Sequence, residues 1–533
     1  MSRLTSLSFG LLLAAGSLVG AAPKPGPQPS KPPPTCRFAL KTTQEQVLKA
    51  TDDFIWDMLY WEGKFHQNSV AYNSLNGMTY DGTLLDWTTG EPTQLHTFSA
   101  ASKEALAFML YAQVIKGSKE AARFLSPDDL KAAPGIARSI LSTKLQTYQN
   151  FNQTYPGFGG HLPWFTSDQQ DIAPTYDWVN RVPGLDNGEL LWAIYACIQA
   201  LEKAPGSDKT SKELAAHWQL WLDYAAKTAP KVFYQGDGKV CAVVAIKDQS
   251  LPLDHPDQSY SCESPTSLLD DPYEGETLAY FLQLYTDLPA KEKDAIWTYK
   301  RSAGKLAKVE YSQGGVGPIT VRKGFWFSSH EVWNQLELPY FDVDIVKRVF
   351  MNGERVRTCN SVVTNTPGLY ASVNNSTDPA TGEIQGYISP AGIPSISWQT
   401  DSYLDVVTPY GAFPVMMFDK AVGLAWWRNM VVAKKMQNKY GSTEGARIDG
   451  TGVSAIVTWD SKVLTVVSLL GGVTDLVRDK MKAENVYQDF LRITKTEYGR
   501  IFDGPLEGEN VKLCLPKISI PDAELEDFTS CSA

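Results

Sequence analysis

Apolar positions recur at helical spacing along most of the chain. A period near 3.6 predicts helices over 43–62, 100–117, 127–148, 187–203, 210–230, 273–287, 290–309, 329–337, 410–438, 460–481 and 484–493. Two stretches, Leu190 to Leu201 and Val463 to Leu470, are apolar on nearly every side, whereas Lys212 to Lys227 is two-faced. Two concentric layers of helices need that alternation, because inner helices are buried all round and outer ones along one stripe. Strand signals are few, at 239–246, 317–327 and 382–397, and no βαβ rhythm appears. The pattern predicts an all-α fold, an (α/α)6 barrel (α,α-toroid) with short β-hairpin excursions. A length of 533 residues would by itself suggest about three or four domains. Yet no low-complexity linker interrupts the helices after Cys36, so one domain over 37–533 is expected.

The first residues read as a leader. Arg3 precedes an apolar run from Leu4 to Gly20, and Val19-Gly20-Ala21 offers small residues for cleavage, giving a signal peptide over 1–21. A proline-rich tether follows over 22–36. No later run reaches the ~20 apolar residues that span a bilayer, so a secreted, extracellular protein is expected, away from membranes. Of seven cysteines, Cys197 sits in an apolar helix and is expected as a buried free thiol; the other six allow three bridges. Cys241–Cys262 is the favoured local pair, with the remaining connectivity open. Asn152, Asn374 and Asn375 begin glycosylation sequons and are expected on surface loops.

Composition narrows the partners. A net charge of −10 without any basic run makes nucleic acid a poor guess. Fifteen Trp, 24 Tyr and 21 Phe are an unusual content; many will be core, but such a content in an acidic protein also suits a sugar-binding cleft. The six histidines include no i, i+4 pair, no Cys pair has C-x-x-C spacing, and neither a G-x-S-x-G elbow nor a Walker loop is present. No metal site and no cofactor are therefore expected. Gly450-Thr451-Gly452 lacks the third glycine and preceding strand of a nucleotide loop.

Carboxylates remain. Asp271-Pro272 opens a helix, with Glu274 at a capping-box position and Glu276 beyond Gly275. Asp186-Asn187-Gly188-Glu189 and Asp460 introduce the two most apolar helices, and Ser328-Ser329-His330-Glu331 precedes Trp333. Each alone reads as a helix cap. Together they form a set, because inner helices of an α,α-barrel begin at one rim and would bring these groups to one cavity. Paired carboxyl groups with aromatic platforms are what glycoside hydrolysis requires.

These landmarks, together with Thr408-Pro409-Tyr410-Gly411-Ala412-Phe413-Pro414 and Trp459-Asp460, resemble the fungal endo-β-1,2-glucanases of glycoside hydrolase family 162. A more distant similarity is to bacterial glycoamylase-like β-1,2-glucanases of family 144. The resemblance implies an inverting, endo-acting hydrolase that cuts β-1,2-glucan to sophorooligosaccharides without a cofactor. It implies a general acid at Glu276 or Glu274 and a general base at Asp460, with Asp449 a weaker alternative. It also implies proton relay through a substrate hydroxyl or a water chain. Asp186, Glu189, His330 and Glu331 are candidate hydroxyl ligands, and Trp178, Trp326 and Trp398 candidate stacking platforms. The expected partner is β-1,2-glucan or a related neutral polysaccharide, bound by a monomer. Alternatives are another α,α-barrel polysaccharide hydrolase or lyase, or a non-catalytic glycan-binding protein.

Overall fold

Three helices are buried along almost their whole length, and the rest of the fold is arranged around them: Ala101–Lys116, Gly184–Lys203 and Trp459–Leu469. In this computed structural model, which describes residues 35–204 and 209–531, the Ala101–Lys116 helix packs between the other two. Glu276–Tyr285 lies against Gly184–Lys203, and Phe413–Met416 against Trp459–Leu469. Two-faced helices cover this inner set. Lys209–Phe233 packs on Gly184–Lys203, and Ala133–Thr154 on Ala101–Lys116. Thr35–Ala533 forms one compact unit with a continuous apolar core, and a smaller apolar cluster fills the space beneath the Lys308–Gln313 and Val316–Arg322 hairpin. The fold is mostly helical with small antiparallel sheets.

The expected signal peptide and all but the last two residues of the tether lie outside the described residues. No described helix is long and apolar enough to cross a membrane. The favoured Cys241–Cys262 bridge is present, joined by Cys36–Cys531 and Cys359–Cys514, and Cys197 is a buried free thiol. Departures from the expected elements have local causes. Asp344–Val363 is a 20-residue helix that periodicity missed, because its buried face includes Asn352, Glu354, Arg357, Thr358, Asn360 and Ser361. The expected 460–481 helix breaks at Gly471 and Gly472, whose φ values of 80° and 69° suit glycine, and resumes at Thr474–Ala483. The expected 290–309 helix stops at Gly304, leaving 308–313 to pair as a strand.

A buried ion pair ties the segment around Thr79 to this scaffold. Glu104 and Lys144 are both fully buried, and Glu104 also accepts from the Thr79 backbone N–H at 2.9 Å and the Thr79 hydroxyl at 2.8 Å. Lys144→Met would leave that carboxylate buried without its counter-charge, an expected loss of about 3–5 kcal/mol read from the midpoint of chemical denaturation. A loss under about 1 kcal/mol would show that the pair does not hold this junction.

Candidate active site

The starts of the buried helices open on one cavity of about 490 Å³. Lys103, Asp186 and Asp460 lie in the first turns of their helices, Glu274 in the turn before Glu276–Tyr285, and His330 in the 3-10 turn Ser329–Val332. All five line the cavity, with His96 and Tyr387 from strands, Asp81 and Glu444 from the bends before strands, and Trp164, Trp326 and Trp333 as indole walls. Lys103 is the one ammonium of that lining among the described residues, and no arginine joins it.

Each acidic start is shaped by its neighbours. Thr458, not Asp460, caps the Trp459–Leu469 helix, through a capping box with Ser461; this frees Asp460 from capping. In the Asp186–Glu189 run, Asn187 donates to the Leu162 and Pro183 carbonyls at 2.8 Å and accepts from the Leu162 N–H at 2.9 Å. That pins the loop carrying Trp164, whose indole N–H donates to Asp186 Oδ2 at 3.0 Å. A Cβ on Gly188 would come within 2.6 Å of the Leu278 nitrogen, so glycine lets the two helices approach and sets Asp186 near Glu274.

Local geometry places Glu274 and Glu276 differently. Residues two apart at a helix start point in different directions. Glu274 faces the cavity, with Oε1 3.9 Å from His330 Nε2 and Oε2 buried without a protein hydrogen-bond partner. Glu276 turns away, accepting from the Tyr340 hydroxyl at 2.7 Å and lying 3.5 Å from Lys300 Nζ. Burial, with the nearby Glu331, Asp271 and Asp186 carboxyls, pushes Glu274 well above the ordinary carboxyl range, so it holds its proton. Burial lowers His330 to about 4 and keeps it neutral.

Asp460 sits in a different field. Lys103 Nζ donates to its Oδ2 at 3.0 Å and lies 3.6 Å from Asp81 Oδ1, while His96 Nδ1 is 2.9 Å from Asp81 Oδ2. Burial raises Asp460, Lys103 opposes that rise, and Asp81 adds to it. Glu444 completes the wall: it accepts from the Asn374 N–H, the Asn374 side-chain amide and the Thr458 hydroxyl, and burial raises it to about 7.

Other expected site residues are placed elsewhere. Glu331 is buried behind the cavity and accepts from the Phe325, Trp326 and Ser328 N–H groups, so it clamps the loop bearing Trp326 and is not free to meet a sugar. Glu189 lies beneath the lining, fully buried beside Glu337, and burial with that second carboxyl raises it strongly. Trp178 is buried and stacks on Trp164 at 4.6 Å between ring centroids, backing a cavity wall instead of lining it. Trp398 is half-exposed outside the lining under Lys323, whose Nζ lies 3.9 Å from the ring centroid. Asp449 is exposed in a turn held by Thr451. Of the sequon residues expected on surface loops, Asn152 lies in the Ala133–Thr154 helix and Asn374 in a short strand of the cavity wall with its amide donating to Glu444, so Asn375 alone of the three lies in a loop; all three are partly exposed.

A helical scaffold presenting carboxyl groups and indoles to one cavity has the constitution of a glycoside hydrolase. The profile described as endo-β-1,2-glucanase SGL, glycoside hydrolase family 162, matches residues 78–532, and the chain belongs to that family. It is 62% identical to the Talaromyces funiculosus endo-β-1,2-glucanase solved with sophorose, covering 94% of this chain and 100% of that chain at a TM-score of 0.92. A glutamate-to-glutamine variant of the Talaromyces funiculosus endo-β-1,2-glucanase, solved with β-1,2-glucan, is 61% identical over the same shares at a TM-score of 0.92. The Chitinophaga pinensis endo-β-1,2-glucanase, solved with sophorotriose and glucose, shares the fold at 12% identity and a TM-score of 0.55, over 84% of this chain and 97% of that one. Among curated proteins no match to this chain is found.

Proposed function

We propose that this chain is a secreted, monomeric, inverting endo-β-1,2-glucanase built as a single (α/α)6 barrel over 37–533, with Glu274 as general acid and Asp460 as general base. The supporting observation is that both carboxyls enter one cavity from the starts of inner helices, one held protonated and the other paired with an ammonium. Glu274 gives its proton to the glycosidic oxygen as the bond from that oxygen to the anomeric carbon breaks. Water attacks that carbon from the opposite face, and its proton passes to Asp460 directly or through a substrate hydroxyl. The bond order around the carbon is unchanged and its configuration inverts.

Asp186 and neutral His330 are the groups we assign to sugar hydroxyls, and Trp164, Trp326 and Trp333 to sugar faces. The substrate assignment draws on the Talaromyces funiculosus structures with sophorose and β-1,2-glucan. A uronate lyase would need cations for its substrate, whereas the one lining ammonium is already shared by Asp81 and Asp460. Linear β-1,2-glucan incubated with the protein is expected to shorten to a ladder of sophorooligosaccharides on chromatography. An intact polymer would overturn the activity, and new ends absorbing in the ultraviolet would make the protein a lyase.

A further inference from the structure

Lys103 is the cation of the cavity, and its surroundings give it a specific task. It stands in the first turn of the Ala101–Lys116 helix, which also holds the buried Glu104, and its side chain is 14% exposed. Its ammonium is divided between two carboxylates, 3.0 Å from Asp460 Oδ2 and 3.6 Å from Asp81 Oδ1. Asp81 is held in turn by His96 at 2.9 Å. The remaining oxygen of Asp460, Oδ1, is buried and has no protein hydrogen-bond partner, which leaves it for water or substrate.

We infer that Lys103 is a positioning residue that keeps Asp460 ionised and turns its unpaired oxygen toward the attacking water, and that Asp81 tunes this by competing for the same ammonium. The inference rests on Asp460 acting as the base. Among the groups facing Asp460, Lys103 alone favours its charge strongly. Asp81 from the segment before Gly82–Leu85, Glu444, Asp186 and the burial itself all oppose it. His96 acts through Asp81, and the Tyr387 and Tyr410 phenols, both raised by burial, stay neutral. An opposite charge at 3.0 Å typically lowers a carboxyl pKa by about 1–3 units, and a like charge raises it. Removing Lys103 and removing the Asp81 charge should therefore move Asp460 in opposite directions, which loss of packing alone would not do.

The test is the pH dependence of kcat on linear β-1,2-glucan for Lys103→Met, Lys103→Arg and Asp81→Asn. Lys103→Met is expected to shift the acidic limb upward by about 1–3 pH units, and Lys103→Arg to restore most of it. Asp81→Asn is expected to shift the limb downward. An acidic limb left in place by Lys103→Met, with only a uniform drop in rate, would overturn the inference. If Lys103→Met does not fold, Asp81→Asn decides alone: a downward shift supports the role, and an unchanged or raised limb removes it. Asp460→Asn separates the two levels. A near-normal rate there would defeat the base assignment itself, whereas an inactive Asp460→Asn beside an unshifted Lys103→Met defeats only the role of Lys103.

Discussion

Glu274→Gln is expected to lower kcat on β-1,2-glucan by about 10²- to 10⁴-fold while leaving the protein folded and able to bind sophorose, because an amide fills the same space without a transferable proton. Glu274 is buried against other carboxyls, so it remains protonated above the range of an ordinary glutamic acid. Losing that proton defines the alkaline limb of activity, which should therefore lie well above the usual carboxyl range and vanish from the residual rate of the variant. Glu276→Gln is the matched control two residues on. Its carboxyl meets Tyr340 and Lys300 outside the cavity, so the rate should stay near that of the parent and stability should fall by about 1–3 kcal/mol. The opposite outcome, a dead Glu276→Gln and an active Glu274→Gln, would exchange the two assignments.

Asp460→Asn is the second large effect, again about 10²- to 10⁴-fold in kcat with little change in KM. Here the sign of the pH dependence is reversed. Asp460 acts when ionised, so activity falls as pH drops through its pKa, which burial raises above the ordinary value against the pull of Lys103. With Asp460 setting the acidic limb and Glu274 the alkaline one, kcat should be bell-shaped. The Asn variant should lose its acidic limb together with its rate. Full activity in that variant would remove Asp460 as the base.

Much of this site could be read from local rules. Acidic residues before strongly apolar helices pointed to Asp186, Glu274 and Asp460, since a buried helix must begin somewhere and the starts of an inner layer share a rim. The 274/276 choice could not be made that way. Both lie at a helix start, and which one turns inward depends on where the helix begins, at Glu276, and on Lys300 and Tyr340 arriving from other elements. Glu331 posed a similar problem: the sequence placed it beside His330 at an element start, but did not show that three backbone N–H groups occupy the carboxylate.

Lys103, Asp81, His96 and Glu444 carried weaker signals. A lysine in the first turn of a helix opposes the helix dipole, and that oddity was the one available clue to Lys103. Asp81 and His96 reach the cavity through the pairing of Gly82–Leu85 with Pro92–His96 and with Ile456–Thr458 from the far end of the chain. Such long-range pairing leaves no local periodicity. Aromatic content announced a cleft without saying which indoles line it: Trp164 lines it and Trp178, stacked behind, does not.

Inverting hydrolysis of β-1,2-glucan between Glu274 and Asp460 is tested most directly by proton NMR of the products while the parent enzyme is cutting the linear polymer. The expected first signal at each new reducing end is the α-anomer, with the β-anomer growing in only as mutarotation proceeds. A β-anomer that appears first would contradict it.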